Sequence, residues 1–513
     1  NSLRTIVLEA VMIMTFLWIL GVTFRFASYY GDHMVLQKKP VGAVVWGYGE
    51  AGANVTMSLS KDSKVIMKKM AQVEEHSETW KVVLAPMEHG GPYSVVAEQH
   101  SREEPKNLTL QDIYFGDVWL CSGQSNMEMT VSQIINASKE LSEASLYPYV
   151  RVFTASLIQS EVELQDLAKI DLEWSIPTAE NLGHENFSYF SAVCWLFGRH
   201  LYETLRYPIG LVESSWGGTC IEAWSSGRQI HGCEKHMPSV LWNAMIHPLL
   251  NMSLTGVIWY QGESNAFMNP DLYNCTFPAL IADWRRAFHA GSDGQTQPLF
   301  PFGFVQPSRD LSTFRRQDRD DRFPRIRWHQ TADYGYAPNK RMPNTFMAVA
   351  VDLCDEHSPY GSIHPRDKQN VAYRLHLGAR AVAYGERGLV FQGPYPTKVV
   401  ADGARGLINV TYGQELLLLL MHDHIFELSA QEPCQWVPAP MVSASSHTVT
   451  LSSSGCRDAV TRLRYAWAEW PCEYRQCPLY NKHLLPAPPF VIDSALKTGW
   501  ANCEEAGPAP GTS

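Results

Sequence analysis

The sequence predicts an α/β fold flanked by β-rich regions, and three observations support this. Between residues 111 and 392, short apolar strands alternate with helical stretches, which is typical of a layer fold with a parallel sheet. From residue 24 to 110, alternating apolar and polar stretches are separated by Gly, Pro and Asp turn signals, as in a β-sandwich. From residue 393 to 503 the β character returns. We therefore expect an α/β layer between two β regions.

The two ends of the chain carry no predicted fold element. Residues 10–24 are almost continuously apolar, with the length of a signal-peptide core and too short for an ordinary membrane span. We therefore predict a signal peptide over residues 1–23, with synthesis starting at Met12 or Met14 and the first residues as an upstream extension. Residues 504–513 are rich in Gly and Pro and are predicted to be disordered.

Within the α/β segment the strands and helices follow one another regularly. A loop rich in Arg and Asp is predicted at 309–325. The predicted strands are 116–121, 209–212, 256–260 and 346–352, and the clearest predicted helices are 192–205 and 370–383.

Composition indicates the secretory pathway and argues against nucleic acid as a partner. The chain has 42 basic and 52 acidic residues, and a net charge of −10 repels phosphate backbones. Its 11 cysteines fit disulfides with at least one free thiol, and Cys472 and Cys477 are spaced as a loop staple. No Cys pair has the spacing of a zinc site, so no metal is expected. Seven asparagines stand in glycosylation sequons: Asn54, Asn107, Asn136, Asn186, Asn251, Asn274 and Asn409.

A serine follows the first predicted strand of the α/β segment, in Cys121-Ser-Gly-Gln-Ser-Asn-Met-Glu128. On a strand-to-helix turn, Ser125 can project its hydroxyl group while its own N–H faces a reacting oxygen. Alone, this pattern is more often a plain turn or helix cap than an active site.

Three further loops follow later strands of the same segment. Ser214-Ser-Trp-Gly-Gly-Thr has two glycines whose N–H groups could serve an oxyanion hole, and Trp259-Tyr-Gln-Gly-Glu-Ser-Asn265 offers amide donors. The third contains Ile363-His-Pro-Arg366, where a histidine can accept the serine proton. Because loops at the carboxyl ends of parallel strands meet at one edge, their order favours a shared site.

These four motifs together resemble the sialate O-acetylesterase family of SGNH-type serine esterases, and the similarity spans nearly the whole chain. The resemblance implies an SGNH-hydrolase-like parallel sheet, with Ser125 as nucleophile and His364 as general base. It implies oxyanion donors from the backbone of Gly217 or Gly218 and from Gln261 or Asn265.

Two features depart from the wider superfamily. The position three residues before the histidine, usually Asp, is Gly361, so the acid that orients His364 is open: Asp352 is the first choice, with Asp355 and Glu263 as alternatives. Arg366, beside His364, is a weak candidate for binding a substrate carboxylate, and a surface ion pair explains it equally well.

The resemblance implies hydrolysis of 9-O-acetyl esters of sialic acids, free or on glycoconjugates, through an acetyl-enzyme. No cofactor, metal or stable membrane anchor is expected, and the protein is predicted to be secreted or lysosomal. A broader carbohydrate acetylesterase and a catalytically silent glycan-binding protein are the alternatives.

Overall fold

The computed structural model describes residues 23–100, 105–227, 237–308, 321–429, 436–454 and 460–493. The predicted signal peptide, up to residue 22, and the predicted tail lie outside the described residues. Residues 309–320 of the predicted Arg- and Asp-rich loop also lie outside them.

Strands occupy most of the described chain outside its central third. They are β1 (Arg25–Phe26), β2 (Val35–Gln37), β3 (Val44–Tyr48), β4 (Asn54–Lys61), β5 (Lys64–Gln72), β6 (Thr79–Val83), β7 (Gly90–His100), β8 (Lys106–Gly123), β9 (Val150–Ala155), β10 (Ile170–Ser175), β11 (Ile209–Ser215), β12 (Gly256–Tyr260), β13 (Phe302–Gln306), β14 (Thr345–Val349), β15 (Pro396–Asp402), β16 (Leu407–Tyr412), β17 (Leu416–Leu418), β18 (Phe426–Ser429), β19 (Val437–Pro438), β20 (Met441–Ala444), β21 (Thr448–Ser452), β22 (Arg462–Tyr465), β23 (Leu479–Asn481) and β24 (Phe490–Asp493).

The helices of the described residues lie between β8 and β15. The α-helices are α1 (Ser125–Glu128), α2 (Ala137–Glu143), α3 (Ala179–Leu182), α4 (Ala192–Leu205), α5 (Glu263–Phe267), α6 (Tyr273–Gly291), α7 (Arg322–His329) and α8 (Lys368–Val382). Short 3₁₀ turns span Val131–Gln133, Ala144–Leu146, Ile221–Trp224, His247–Leu249 and Pro270–Leu272, and a π turn spans Trp242–Ile246.

The N-terminal region is antiparallel apart from one parallel pair. Strands β1, β3 and β6 form one sheet, and β4 pairs with β5 and β7. Along β4 the side chains of Val55, Met57 and Leu59 are buried while the residues between them are not, which is the period of a half-buried strand. The strand β5, with three lysines, pairs with β4 alone among the described strands.

Strand β8 joins this region to the α/β layer. Its first half pairs antiparallel with β7 and parallel with β2, and its second half lies between β11 and β12, parallel to both. From Phe115 to Gly123 every residue is buried, as expected of a central strand covered on both faces.

The sheet of the α/β layer is mainly parallel, with the strand order β10-β9-β11-β8-β12-β13-β14, and β10 is antiparallel at one edge. Alternate side chains of the strands face two cores: Trp119 and Cys121 pack with α4 and α8, whereas Val118 and Leu120 belong to the other core. The mixed α/β fold class is therefore confirmed. Since the strands are parallel, the loops that follow β8, β11, β12 and β14 emerge at one edge.

The C-terminal region consists of antiparallel sheets. Two four-stranded sheets have the orders β15-β16-β21-β20 and β19-β18-β22-β24, and β17 pairs with β23. They share a core of their own, in which the rings of Phe426, Tyr465 and Phe490 are in contact.

Disulfides connect several of these elements. Cys121 at the end of β8 is bonded to Cys194 in α4, and the predicted Cys472–Cys477 loop staple is present. Cys220 and Cys275 are also disulfide-bonded, and Cys354 is buried, with its Sγ 3.6 Å from the main-chain carbonyl oxygen of Cys472. No helix within the described residues is both long and apolar enough to cross a bilayer.

The predicted glycosylation asparagines differ in exposure. Asn251 is half-buried, and Asn274 is only 4% exposed, with its amide nitrogen donating to Asp333 Oδ2 at 2.6 Å. A glycan cannot be attached to a buried and hydrogen-bonded amide in the folded protein, so the structure does not support Asn274 as an acceptor. The others are exposed: Asn54, Asn107, Asn136, Asn186 and Asn409.

Candidate active site

The serine turn is set by a glycine at the end of the central strand. Gly123 has φ +142°, and a Cβ atom there would lie 2.1 Å from the carbonyl oxygen of Tyr260 in the neighbouring strand β12. Only glycine fits this close approach and backbone conformation. The chain then turns through Gln124 into α1, which places Ser125 at the carboxyl edge of the sheet.

The structure brings the predicted nucleophile and base together. His364 lies in the loop between β14 and α8, 239 residues after Ser125, and its Nε2 is 2.7 Å from Ser125 Oγ. Both residues are half-buried and line the same cavity. This distance is within the range that direct proton transfer requires.

The other ring nitrogen of His364 identifies the tautomer. Its Nδ1 is 2.7 Å from the main-chain carbonyl oxygen of Tyr360. A carbonyl oxygen can only accept a hydrogen bond, so Nδ1 carries the hydrogen, and in the neutral ring Nε2 has a free lone pair. His364 is therefore oriented to accept the proton of Ser125.

The prediction that Asp352 orients His364 needs correction. Asp352 follows β14 as expected, but its side chain is fully buried (0% exposed) and accepts two hydrogen bonds from Arg374, at 2.6 and 2.9 Å. The hydroxyl group of Tyr480 donates to the same carboxylate at 3.1 Å. Helix α8 thus supplies a guanidinium group that holds this acid away from the histidine.

The two alternative acids are also engaged elsewhere. Asp355 accepts from the side chain of Arg366 at 2.6 and 3.1 Å; although burial opposes it, these hydrogen bonds lower the pKa of Asp355. The Arg366–Asp355 pair lines a separate cavity of about 340 Å³, so Arg366 does not reach the serine cavity. Glu263 lines the serine cavity, but its Oε1 accepts from Asn126 at 2.6 Å.

Of the two glycines predicted as oxyanion donors, one already donates its N–H to a side chain of the protein. The N–H of Gly217 donates to Glu128 Oε2 at 2.8 Å, so the prediction of Gly217 as donor is corrected. Gly218 lines the cavity at φ +72°, with open space where a side chain would be. Of the two predicted glycine donors, Gly218 therefore remains.

The two predicted amide donors do not reach the cavity. Gln261 is buried, and its amide nitrogen donates to the Thr219 carbonyl and to Asn265 Oδ1, at 3.1 and 2.7 Å. The amide nitrogen of Asn265 donates to Glu222 at 2.9 Å. Both residues hold the glycine loop and the amide loop together, so the predicted oxyanion role of Gln261 and Asn265 is corrected to a structural one.

The sequence analysis missed two residues at the serine. Gln124 lines the cavity, and its Oε1 accepts from the main-chain N–H of Ser264 at 3.2 Å, which leaves its amide nitrogen as a donor beside Ser125. Glu128 also lines the cavity; burial raises its pKa to about 7, against the opposing effect of the Gly217 hydrogen bond. Both stand in the serine motif, where their proximity in sequence was the available signal.

The cavity has a volume of about 570 Å³ and a partly aromatic wall. The ring of Phe187 lies 5.2 Å from that of His364, edge to face. Within the described ranges, no three His, Cys, Asp or Glu side chains are grouped as a metal site. The cavity is lined by Gln124, Ser125, Glu128, Phe187, Gly217, Gly218, Cys220, Glu263, Ser264, Phe267, Met268, Ile363 and His364.

Comparison with known families gives two matches. Residues 115–293 match the family described as carbohydrate esterase, sialic acid-specific acetylesterase. Residues 397–494 match the sialate O-acetylesterase C-terminal domain. The first match contains Ser125 and the glycine and amide loops, and the second covers most of the C-terminal β region.

Individual proteins resemble the chain over most of its length. The sialate O-acetylesterase of Homo sapiens is 58% identical over 490 residues, covering 92% of this chain and 93% of the human protein. That of Mus musculus is 55% identical over 514 residues, covering 92% and 94%. The crystal structure of a carbohydrate acetylesterase from Xanthomonas citri is 29% identical with a TM-score of 0.77, and covers 92% of this chain and 99% of that one.

Proposed function

The chain belongs to the sialate O-acetylesterase family, and we propose that it hydrolyses O-acetyl esters of sialic acids and releases acetate. The observation that carries the proposal is the 2.7 Å hydrogen bond between Ser125 Oγ and His364 Nε2 in the cavity at the carboxyl edge of the sheet. The substrate class comes from the relatives, since serine and histidine alone specify only an acyl ester.

The reaction follows from the two nitrogens of His364. Ser125 Oγ attacks the acetyl carbonyl carbon while Nε2 takes the hydroxyl proton. As the tetrahedral intermediate collapses, Nε2 returns this proton to the sugar oxygen, and an acetyl-enzyme remains. Water then attacks the acetyl carbonyl carbon while Nε2 takes its proton. The bond between the acetyl group and Ser125 Oγ breaks, Nε2 returns the proton to this oxygen, and acetate leaves. Throughout, the Tyr360 carbonyl accepts from Nδ1–H and stabilises the positive ring.

We assign the oxyanion donors to groups that line the cavity. They are the main-chain N–H groups of Ser125 and Gly218 and the side-chain amide of Gln124, because all three residues line the cavity that contains the Ser125 hydroxyl group. Donors of this kind stabilise charge that develops only in the transition state, and each contributes about 3 kcal/mol.

The arrangement of loops supports an SGNH-type layout. The serine follows the central strand β8, the glycine loop follows β11, the amide loop follows β12 and the histidine loop follows β14. Because β11, β8, β12, β13 and β14 run parallel in one sheet, all four loops lie at the same edge. The 29% identical carbohydrate acetylesterase structure, with a TM-score of 0.77, supports the same assignment.

We further propose that the protein acts in the secretory pathway, as a secreted or lysosomal glycoprotein. The disulfides and the exposed sequon asparagines support this. Its acidic net charge of −10 argues against nucleic acid as a partner. Digestion of the purified protein with an N-glycosidase should lower its apparent mass.

The catalytic test is Ser125→Ala, assayed on 9-O-acetyl sialic acid. We expect kcat to fall by at least about three orders of magnitude, because only the oxyanion site and binding remain. Ser122→Ala is the matched control: its buried hydroxyl has no hydrogen-bond partner among the described residues, so activity should persist. Near wild-type activity in Ser125→Ala would overturn the assignment.

Substrate range is tested by comparing 9-O-acetyl sialic acid with acetylated xylose. The name of the Xanthomonas citri neighbour favours a broader carbohydrate acetylesterase as the second candidate. We expect the higher kcat/KM on the sialic acid. Equal or higher kcat/KM on acetylated xylose would favour the broader activity, and no turnover of either substrate would favour a glycan-binding protein.

A further inference from the structure

A buried polar network lies directly behind the nucleophile. The Nζ of Lys368 donates to Asn126 Oδ1 at 2.6 Å, and the Nδ2 of Asn126 donates to Glu263 Oε1 at 2.6 Å. The same Nδ2 donates to the main-chain carbonyl of Ile363 at 2.8 Å. The three side chains are 0%, 1% and 2% exposed for Lys368, Asn126 and Glu263.

The network connects three separate loops of the active site. Asn126 follows the nucleophile in α1, Glu263 begins α5 after the glycine of the amide loop, and Lys368 begins α8. Ile363 directly precedes His364. Asn126 therefore links the serine turn to the histidine loop by a hydrogen bond in addition to the one between Ser125 and His364.

This burial is costly, which indicates a role beyond packing. Burial lowers the pKa of Lys368 to about 7 and raises the pKa of Glu263. Besides Glu263, Lys368 faces the carboxylates of Asp367 and Asp355, and its Nζ lies 5.1 Å from the centre of the Tyr260 ring. The hydrogen bonds keep their direction in either charge state, because the lysine donates and the carboxyl group accepts. Because the Asn126 amide is hydrogen-bonded at both its oxygen and its nitrogen, the network holds this side chain in one geometry.

The histidine loop depends on such support because its orienting partner is backbone. The ring is held by the Tyr360 carbonyl, so its position follows the path of the main chain from residue 360 to 364. That path is fixed further by Ser358 Oγ, which donates to the His364 carbonyl at 2.7 Å. The Asn126–Ile363 hydrogen bond fixes it from the side of the nucleophile.

Resting on the proposed esterase function, we propose that Asn126 is a positioning residue: held by Lys368 and Glu263, its amide fixes the Ile363 carbonyl and thereby sets the His364 ring against Ser125. Asn126 takes no part in proton transfer itself. It couples the two loops whose side chains do.

The first test is Asn126→Asp, with p-nitrophenyl acetate as the substrate. The new side chain has the same shape and still accepts from Lys368, but it can no longer donate to Ile363 or Glu263. We expect kcat to fall about 10- to 100-fold with KM within about twofold, because the reacting groups are misplaced while the cavity is unchanged. Circular dichroism and the Tm establish that the variant is folded.

Two further variants separate positioning from general stability. Lys368→Met removes the donor that holds Asn126 and should reduce kcat in the same way. Lys38→Met is the matched control. That lysine lies 3.4 Å from the buried Asp117, within β8 and away from the residues that line the serine cavity, and kcat should stay at the wild-type value.

The outcomes distinguish this proposal from the esterase assignment. A wild-type protein that does not hydrolyse the ester contradicts the proposed function, and the positioning role with it. A hydrolysing wild type and a folded Asn126→Asp variant with unchanged kcat would overturn the positioning role alone. An equal loss in Lys38→Met would do the same. If Lys368→Met does not fold, Asn126→Asp decides.

Discussion

The two ring nitrogens of His364 have different hydrogen-bond partners: Nε2 is bonded to Ser125 Oγ and Nδ1 to the main-chain carbonyl of Tyr360. The Tyr360 carbonyl, as a neutral dipole, holds Nδ1–H without carrying a full negative charge. It fixes the tautomer as a carboxylate would, but stabilises the imidazolium less strongly. At the residue scale, the proposed machinery is a serine–histidine pair oriented by the main chain, and the neighbouring buried network is its proposed support.

The correction of Asp352 leads to the first prediction. Asp352→Asn breaks a fully buried ion pair with Arg374, so the free energy of unfolding should fall by about 3–5 kcal/mol. The kcat of the folded enzyme on 9-O-acetyl sialic acid should stay within a few fold of wild type. Loss of a true triad acid costs about four orders of magnitude.

Denaturant unfolding and kinetics below the Tm of the variant separate these two effects. Tyr480→Phe, which removes only one hydrogen bond to the same carboxylate, serves as the milder control. A drop of about a thousandfold in the kcat of folded Asp352→Asn would restore Asp352 as a catalytic acid.

The sequence predicted that Ser125 and His364 share a site, and their side chains do lie 2.7 Å apart, because the order of loops along parallel strands can be read directly from the sequence. The hydrogen-bond partners of Asp352 cannot be read from the sequence in this way. Whether this carboxylate meets His364 or Arg374 depends on how α8 crosses the sheet and which side chains face inward, and no local pattern records that. The same applies to Gln261 and Asn265, whose amides turn to Thr219 and Glu222.

Glu128 gives a pH-dependent prediction for stability. Burial raises its pKa from 4.5 to about 7 in the folded protein. The folded state therefore binds an extra proton between these values, so the stabilising contribution is full below about pH 4.5 and is lost as the pH rises to about 7. We expect wild type to lose on the order of 1–3 kcal/mol over this window relative to Glu128→Gln.

Denaturant unfolding at half-unit steps from pH 4.5 to 7.5 measures this difference. Glu88→Gln, at a largely exposed glutamate paired with Lys39, is the control and should follow wild type. Parallel curves for wild type and Glu128→Gln would contradict the prediction.

At the scale of elements, the junction between β8 and α1 depends on Gly123. In Gly123→Ala, the new Cβ would meet the Tyr260 carbonyl at 2.1 Å, and the backbone would be strained at φ +142°. We expect the free energy of unfolding to fall by more than about 3 kcal/mol and esterase activity to be lost, because β12 and the serine turn must separate.

Gly90→Ala is the matched control for strain without a clash. Gly90 has φ +126°, and no atom lies within 4 Å of the position of an added Cβ. Its cost should stay at about 1–2 kcal/mol, the range for backbone strain alone. Equal unfolding free energies for the two variants would show that the close approach to β12 is unimportant.

Element prediction worked where periodicity was strong. The predicted helix 192–205 coincides with α4, and the predicted strand 116–121 lies within β8. The strand prediction missed that β8 begins at Lys106, because the first half alternates and the second half is uniformly buried. One continuous strand thus has two sequence patterns, since its first half lies in a half-exposed sheet and its second half between two cores.

At the scale of the whole molecule, the C-terminal β region is fastened to the loop that leads to His364. The hydroxyl group of Tyr480 and the N–H of Arg475 donate to Asp352, at 3.1 and 2.7 Å. The hydroxyl group of Tyr474 donates to Asp367, just before α8, at 2.7 Å. The two ends of the histidine loop therefore both contact this region, which supports a bracing role for it.

A single buried arginine forms a second connection between the two parts. Arg327 in α7 is fully buried, and its guanidinium donates to the carbonyls of Ala468 and Glu469 at 2.8 and 2.9 Å. It also donates to the carbonyls of Pro307, at 3.0 Å, and Ser308, which follow β13. One side chain thus satisfies main-chain acceptors on both sides of the contact.

Arg327→Met should therefore weaken the contact between the C-terminal β region and the α/β layer. Several buried carbonyls lose their donor, so we expect about 3 kcal/mol or more to be lost from the unfolding free energy. Hydrogen–deuterium exchange should rise first in β22 and β24, before the central sheet.

The control is Arg285→Met. Arg285 is also buried, but it donates to the carbonyls of Phe300 and Asn344 within the α/β layer, so its loss should raise exchange there instead. Of these two arginines, Arg327 alone contacts both regions. The same exchange pattern in both variants would therefore show that Arg327 contributes to general stability and does not specifically join the two regions.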